Sequence, residues 1–229
     1  MLVEALTLGL FAAGLPAGQA RSQGFFGSRP GKLPPGQSVF RIEGTASVNG
    51  ASANLQTQVR PGDTVETGRG SEIVFVVGGH SMLLRDNSRV VVESGPGALI
   101  IAGFRLVTGK LLQVSRDSRM RITTPTSTIG IRGTGWYAEA EPDLTYFCTC
   151  YGVADIAAAG DPESATTVTA THHDRPLYVT GKVEGGARVR NAPFINHTDQ
   201  ELMLIESLVG REPPFVFPKD DYNAPRREY

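Results

Sequence analysis

The 229-residue sequence lacks an excess of charge of either sign and is poor in cysteine and in large aromatic side chains. Its 22 Lys and Arg stand against 23 Asp and Glu, a formal net charge of −1, so there is no basic field to draw in nucleic acid or anionic lipid. A single Trp, Trp136, and an aromatic content of 7% form no stacking cluster, which ranks a carbohydrate or peptidoglycan binder last among the binding classes. No uninterrupted apolar run reaches the roughly 20 residues of a spanning helix. The G-x-S-x-G elbow, the H-E-x-x-H helix and a phosphate-cradling glycine-lysine loop are absent, and Gly130 to Gly135 has neither the spacing nor the following helix of a nucleotide loop. Paired carboxylates such as Glu139 with Glu141 read as solvated charge, and His80 falls in an expected turn with no carboxylate beside it. The chain is therefore expected not to be an enzyme.

What the sequence does contain is turn-forming residues. The 27 Gly and 15 Pro interrupt helices but suit the frequent corners of β architectures. From Val39 onward, short apolar or alternating runs recur between turn signals such as Asn49-Gly50, Pro61-Gly62-Asp63, Gly78-Gly79 and Asp86-Asn87. That spacing builds sheets from hairpins or coils. The first helical pattern spans 199–209, where Thr198 and Glu201 form a capping box, Leu202, Ile205, Leu208 and Val209 make an apolar stripe, and Gly210 closes the end. The Pro-rich, charged tail beyond it, with Phe215 and Phe217 as anchors, is expected to be extended and partly packed.

The N-terminus carries an apolar run from Leu6 to Leu15, stopped by Pro16, with Gly18 and Ala20 as small residues before a cleavage point. Residues 1–20 are read as an export signal whose basic start lies upstream. Residues 21–38 read as a flexible linker, 39–182 as the β domain, and 183–229 as a C-terminal extension.

The turn signals resemble those of a known family. Gly44-Thr45-Ala46-Ser47-Val48-Asn49-Gly50, Val59 to Gly68 with its Pro-Gly-Asp-Thr, Leu106-Val107-Thr108-Gly109-Lys110-Leu111 and Ile122 to Thr134 together resemble FecR domains. The resemblance implies an all-β, β-solenoid or β-prism-like module of the bacterial periplasm or cell surface, a binding or signalling role, and envelope or surface proteins as partners. The family's regulators carry a cytoplasmic anti-sigma segment and a membrane helix ahead of the domain. Residues 1–38 resemble neither, so a free-standing FecR-like domain is expected. Gly62, Asp63, Gly109, Arg132, Gly133 and Thr134 stand out as fold residues, with Arg132 expected to be a buried staple between strands.

Chemistry points to one place. Two cysteines in an exported chain ordinarily read as one disulfide. If 145–151 is a strand, however, Cys148 and Cys150 share a face about 6.6 Å apart, too far for a bridge without a turn or bulge. Buried thiols, an irregular disulfide and a metal or redox site all stay open. For the metal site, the strand-like segment 166–171 could return His172 and His173 to the thiols. The ligand set would then be Cys148, Cys150, His172 and His173, or one imidazole with Asp174, and Zn, Fe or Cu are chemically reasonable. His197, at the capped helix start, reads as a surface residue.

Overall fold

The computed structural model of the chain describes residues 30–97 and 100–215; the expected export signal, the first part of the linker and Phe217 lie outside this range. Among the described residues the chain is mostly β, with one short helix. The strands are β1 (Val39–Glu43), β2 (Ala46–Val48), β3 (Ala51–Ser52), β4 (Thr64–Thr67), β5 (Glu72–Val77), β6 (His80–Leu84), β7 (Arg89–Ser94), β8 (Ile101–Thr123), β9 (Ser127–Ala140), β10 (Leu144–Ala158), β11 (Asp161–Ala170), β12 (Leu177–Glu184) and β13 (Ala187–Asn191), followed by helix α1 (Asp199–Leu208). Pairing is antiparallel, as in hairpins, and runs β13-β12-β10-β9-β8-β7-β4-β2-β3, with β6 joining β8 and carrying β5 and β1.

The expected turns form for the expected reasons. Asn49 and Gly50 both take positive φ, 52° and 80°, the geometry of a two-residue hairpin between β2 and β3. At the next corner Gly62 takes φ 97°, while the Asp63 carboxylate accepts the Arg60 N–H and the Asn49 side-chain amide, each at 2.7 Å.

Strand β8 is longer than its sequence pattern suggests, because Gly109 bends it instead of ending it. Its first half pairs with β7, and beyond Gly109 it pairs with β6 on one edge and β9 on the other. Gly109 takes φ 86°, and a Cβ there would lie 2.0 Å from Ser88 Oγ and 2.5 Å from its Cα. Only glycine fits both the backbone and the space.

Central strands are apolar on both faces. In β5, Ile73, Phe75 and Val77 enter one core with Met82, Leu84, Leu111, Trp136 and Phe147, while Val74 and Val76 enter a second with Leu83, Leu112, Val114 and Tyr137. A continuous run such as Ile73–Val77 is what a strand covered on both sides requires. The cover on the second face is α1, whose Leu202, Leu204, Ile205 and Leu208 are buried there; each such side chain contributes roughly 2 kcal/mol on leaving water. The helix begins as expected, with both halves of the Thr198–Glu201 capping box formed, and Gly210 follows its end at φ 73°. Leu33, in the segment expected as linker, is buried against α1 and donates its N–H to Leu208 O at 2.9 Å. Polar ties complete the docking: Arg85 donates to Glu201 at 2.9 Å, and the fully buried Glu206 accepts from Tyr151 Oη and from Arg211 Nε. β12 runs across the boundary expected at residue 182.

His80 lies in β6, not in a turn, with Nδ1 2.9 Å from Ser115 Oγ. Burial and then the nearby Arg211 charge lower its pKa from 6.5 to about 4.

Two outcomes follow. Gly109→Ala is expected to destabilise the fold by more than about 2 kcal/mol in denaturant unfolding, through backbone strain and the clash with Ser88. Because the folded chain prefers neutral His80, its contribution is complete above pH 6.5 and is lost as pH falls toward about 4. Unfolding measured across that window should show a slope of up to about 1.4 kcal/mol per pH unit from this group, and His80→Gln should flatten it.

Candidate metal centre

The centre forms where the pairing along one edge of β10 is interrupted. β12 pairs with β10 over Leu144–Phe147 and β11 pairs with it over Gly152–Ala158, both on the edge opposite β9. Between them the chain crosses through residues 171–176 beside positions 148–151, held by the His173 N–H donating to Cys150 O at 2.9 Å. The register of β10 against β9 shifts between Thr149 and Tyr151, and Gly152 takes φ 92°. This bulge turns Cys148, Cys150 and Tyr151 toward the same core, under α1. Both cysteines are free thiols with 0% exposure.

Within the crossing, the Asp174 carboxylate accepts the N–H groups of Thr171 and His172 at 2.6 and 3.3 Å and the Thr171 hydroxyl at 3.0 Å. Those bonds lower its pKa, the Thr171 N–H first, and occupy it as a turn cap, away from the thiols. His173 is thereby set in a left-handed conformation, φ 53°, which is uncommon for a non-glycine residue and marks a position that the surroundings must enforce.

The ligand set that assembles differs from the expected one by a single residue. Cys148 Sγ, Cys150 Sγ, one nitrogen of His173 and one of His197 all lie within 4.8 Å of one another. His172 does not join them: its ring is exposed and turns to Asp199, with Nε2 at 3.0 and 3.1 Å from the two carboxylate oxygens. His197, expected at the surface, is only 1% exposed and stacks on Tyr137 at 4.5 Å between ring centres. Phe194 packs within 4.4 Å of both His173 and His197 and closes the site from outside.

Each imidazole is oriented from behind. His197 Nδ1 lies 2.7 Å from Ile195 O and donates to it, which leaves Nε2 facing inward. His173 Nε2 lies 3.0 Å from Asp199 Oδ1 and donates to it, which leaves Nδ1 facing inward. The two inward nitrogens are 3.1 Å apart, and Cys148 Sγ is 3.4 Å from His173 Nδ1. In a tetrahedral zinc site the nitrogen–nitrogen and sulfur–nitrogen edges are about 3.3 and about 3.5 Å, given Zn–N near 2.0 and Zn–S near 2.3 Å. Two lone pairs pointed at each other at this distance need a cation between them, either a proton or a metal.

The protonation pattern favours a proton as that cation, one that a metal ion would displace. Burial opposes ionisation of Cys148, but hydrogen bonds from Cys150, His173 and His197 hold its pKa well below the usual thiol range. Cys150 is pushed well up by burial and then by the neighbouring Cys148. Burial disfavours the His173 cation, yet hydrogen bonds to Asp199 and Cys148 raise its pKa to about 9. Asp199 is held low against burial by His173 and then His172. A Cys–His–Asp series can also activate a nucleophile; here Cys148 is completely buried beneath α1.

The turn residues singled out in sequence serve the fold. Thr134 Oγ1 accepts the Arg132 N–H and donates to Val153 O, both at 3.1 Å, and Gly133 takes φ 58°. Arg132 is not the buried staple expected: it is exposed and pairs with Asp155 across β9 and β10 at 3.0 Å. An ion pair in water there avoids the cost of burying a guanidinium.

Comparison with known proteins bears on the β frame. The FecR protein family matches residues 63–148. No curated protein matches the chain. Two crystal structures of a candidate anti-sigma factor from Parabacteroides distasonis ATCC 8503, at 2.50 and 1.65 Å, are similar with a TM-score of 0.44 each and identities of 14% and 13%. The alignment covers 56% of this chain and 58% of the length of those structures. The matched segment ends at Cys148, so Cys150, His173 and His197 lie beyond it. The resemblance read from the turn motifs is thus borne out over residues 63–148, the segment that the FecR protein family matches.

Proposed function

We propose that this chain is a non-enzymatic regulatory module of the bacterial envelope, exported to the periplasm or cell surface, that acts through contacts with envelope proteins and carries one Zn(II) ion on Cys148, Cys150, His173 and His197. The observation that carries the reading is the convergence of four donor atoms within 4.8 Å, three of them on buried residues and the fourth on the partly buried His173. The FecR family match supports the regulatory and envelope parts.

Zinc suits this donor set better than its competitors. Two thiolates and two neutral imidazoles around a dication sum to zero charge, so the complete site can lie in an apolar core without an unpaired ion. Ionising Cys150 beside Cys148 without a metal would bury two adjacent anions. Zn(II) imposes no geometry of its own and accepts this mixed tetrahedron, whereas Cu(I) favours softer, sulfur-rich sets. Asp199 and Ile195 O supply the outer hydrogen bonds that metal-bound histidines ordinarily make.

Full-length protein purified without an affinity tag or chelator is expected to contain one zinc per chain by elemental analysis. Substituted with Co(II), it should show the visible and near-ultraviolet bands of a tetrahedral thiolate complex. Cys148→Ser and Cys150→Ser should each weaken Zn(II) by more than about 100-fold, Asp199→Asn by about 10- to 100-fold as an outer partner, and His172→Ala hardly at all. Fresh protein that contains no zinc and takes none up from an equimolar solution would overturn the reading.

A further inference from the structure

The four donors come from two bodies of the fold. Cys148 and Cys150 belong to β10, and His173 to the crossing hydrogen-bonded to it. His197, together with the Asp199 carboxylate behind His173, comes from the C-terminal segment that holds α1. We propose that occupancy of the Zn(II) site controls docking of residues 192–215 on the second face of the sheet. This inference rests on the Zn(II) reading above.

A ligand shifts an equilibrium only by its difference in affinity for the two states. With the segment docked, the ion meets four donors and a His173 oriented by Asp199; with it released, the ion keeps three donors and an unsupported imidazole. Zn(II) therefore favours the docked state, and docking favours Zn(II) by the same factor. Losing the inner ligand His197 together with the outer partner of His173 sets that factor above the 10- to 100-fold typical of an outer partner alone.

Other ties also hold the segment: the buried Glu206 accepts from Tyr151 Oη, the Leu33 N–H donates to Leu208 O at 2.9 Å, Arg211 donates to Gly79 O at 3.1 Å, and His172 pairs with Asp199 at 3.0 Å. Ile195 N–H donates to Tyr146 Oη at 3.3 Å, Asn196 Nδ2 to Glu139 at 2.7 Å, and Arg85 to Asn196 O and Glu201, both at 2.9 Å. Beneath lies the apolar contact of α1. A helix as short as Asp199–Leu208 is marginal in water by itself, so release of the segment also unwinds it. Metal loss is thereby converted into unfolding of one element and exposure of the face formed by Val74, Val76, Leu83, Leu112 and Val114.

Amide hydrogen exchange of the full chain, with saturating Zn(II) and with a chelator, tests this. Zn(II) is expected to slow exchange across 199–208 by more than about 10-fold while amides of the β8–β9 pairing change little. In a His197→Ala/Asp199→Asn double variant held saturated at higher Zn(II), the response across 199–208 should disappear. One zinc per wild-type chain with unchanged exchange at 199–208 would overturn the inference and leave the Zn(II) site standing. A uniform slowing over the whole chain would overturn it too, as general stabilisation. Failure to bind Zn(II) at all would remove both.

Discussion

The arrangement depends on covering both faces of the central strands. A sheet whose residues alternate between two apolar cores cannot leave either face in water, and among the described residues the second face is covered by α1, with Leu33 behind it. Everything distinctive about the protein lies under that cover. Tyr151 and Arg211 satisfy the buried Glu206, Arg85 satisfies Glu201, and the thiols and imidazoles fill the remaining polar space. Each of these groups costs free energy to desolvate and is retained with a partner beside it. The donor cluster is therefore part of how the cover attaches.

Much of the frame was legible in sequence because turns are local. Asn49-Gly50, Pro61-Gly62-Asp63 and the Thr198–Glu201 box each state their geometry within a few residues, and each forms as read. The long β8 was less visible, since Gly109 acts as a bend within it and carries the strand on past the turn residues. Three of the four donors were legible as well: the cysteine spacing predicts a shared face, and His173 follows the strand that returns to it.

His197 was not legible, and the reason is physical. It is brought to Cys148 only by docking of α1, which no local pattern encodes, and a residue just ahead of a helix cap is ordinarily exposed. A signal did exist. The uninterrupted Tyr146-Phe147-Cys148-Thr149-Cys150-Tyr151 cannot belong to a strand with a wet face. It demands a cover, and the one amphipathic helix begins at His197's neighbour. His172 was the natural competitor, but successive residues leave a chain in different directions, and the Asp174 cap fixes which of the pair turns inward.

The interruption along β10 has a consequence for how such a protein can change over time. Residues 171–176 run beside only a few positions of β10, and they join two strands that are each anchored independently. Lengthening, shortening or rewriting that crossing would displace His173 while leaving the ladders on either side intact. The ligand chemistry is thus separable from the scaffold: lineages sharing this β frame are free to gain the centre, lose it or exchange its ligands without re-inventing the fold.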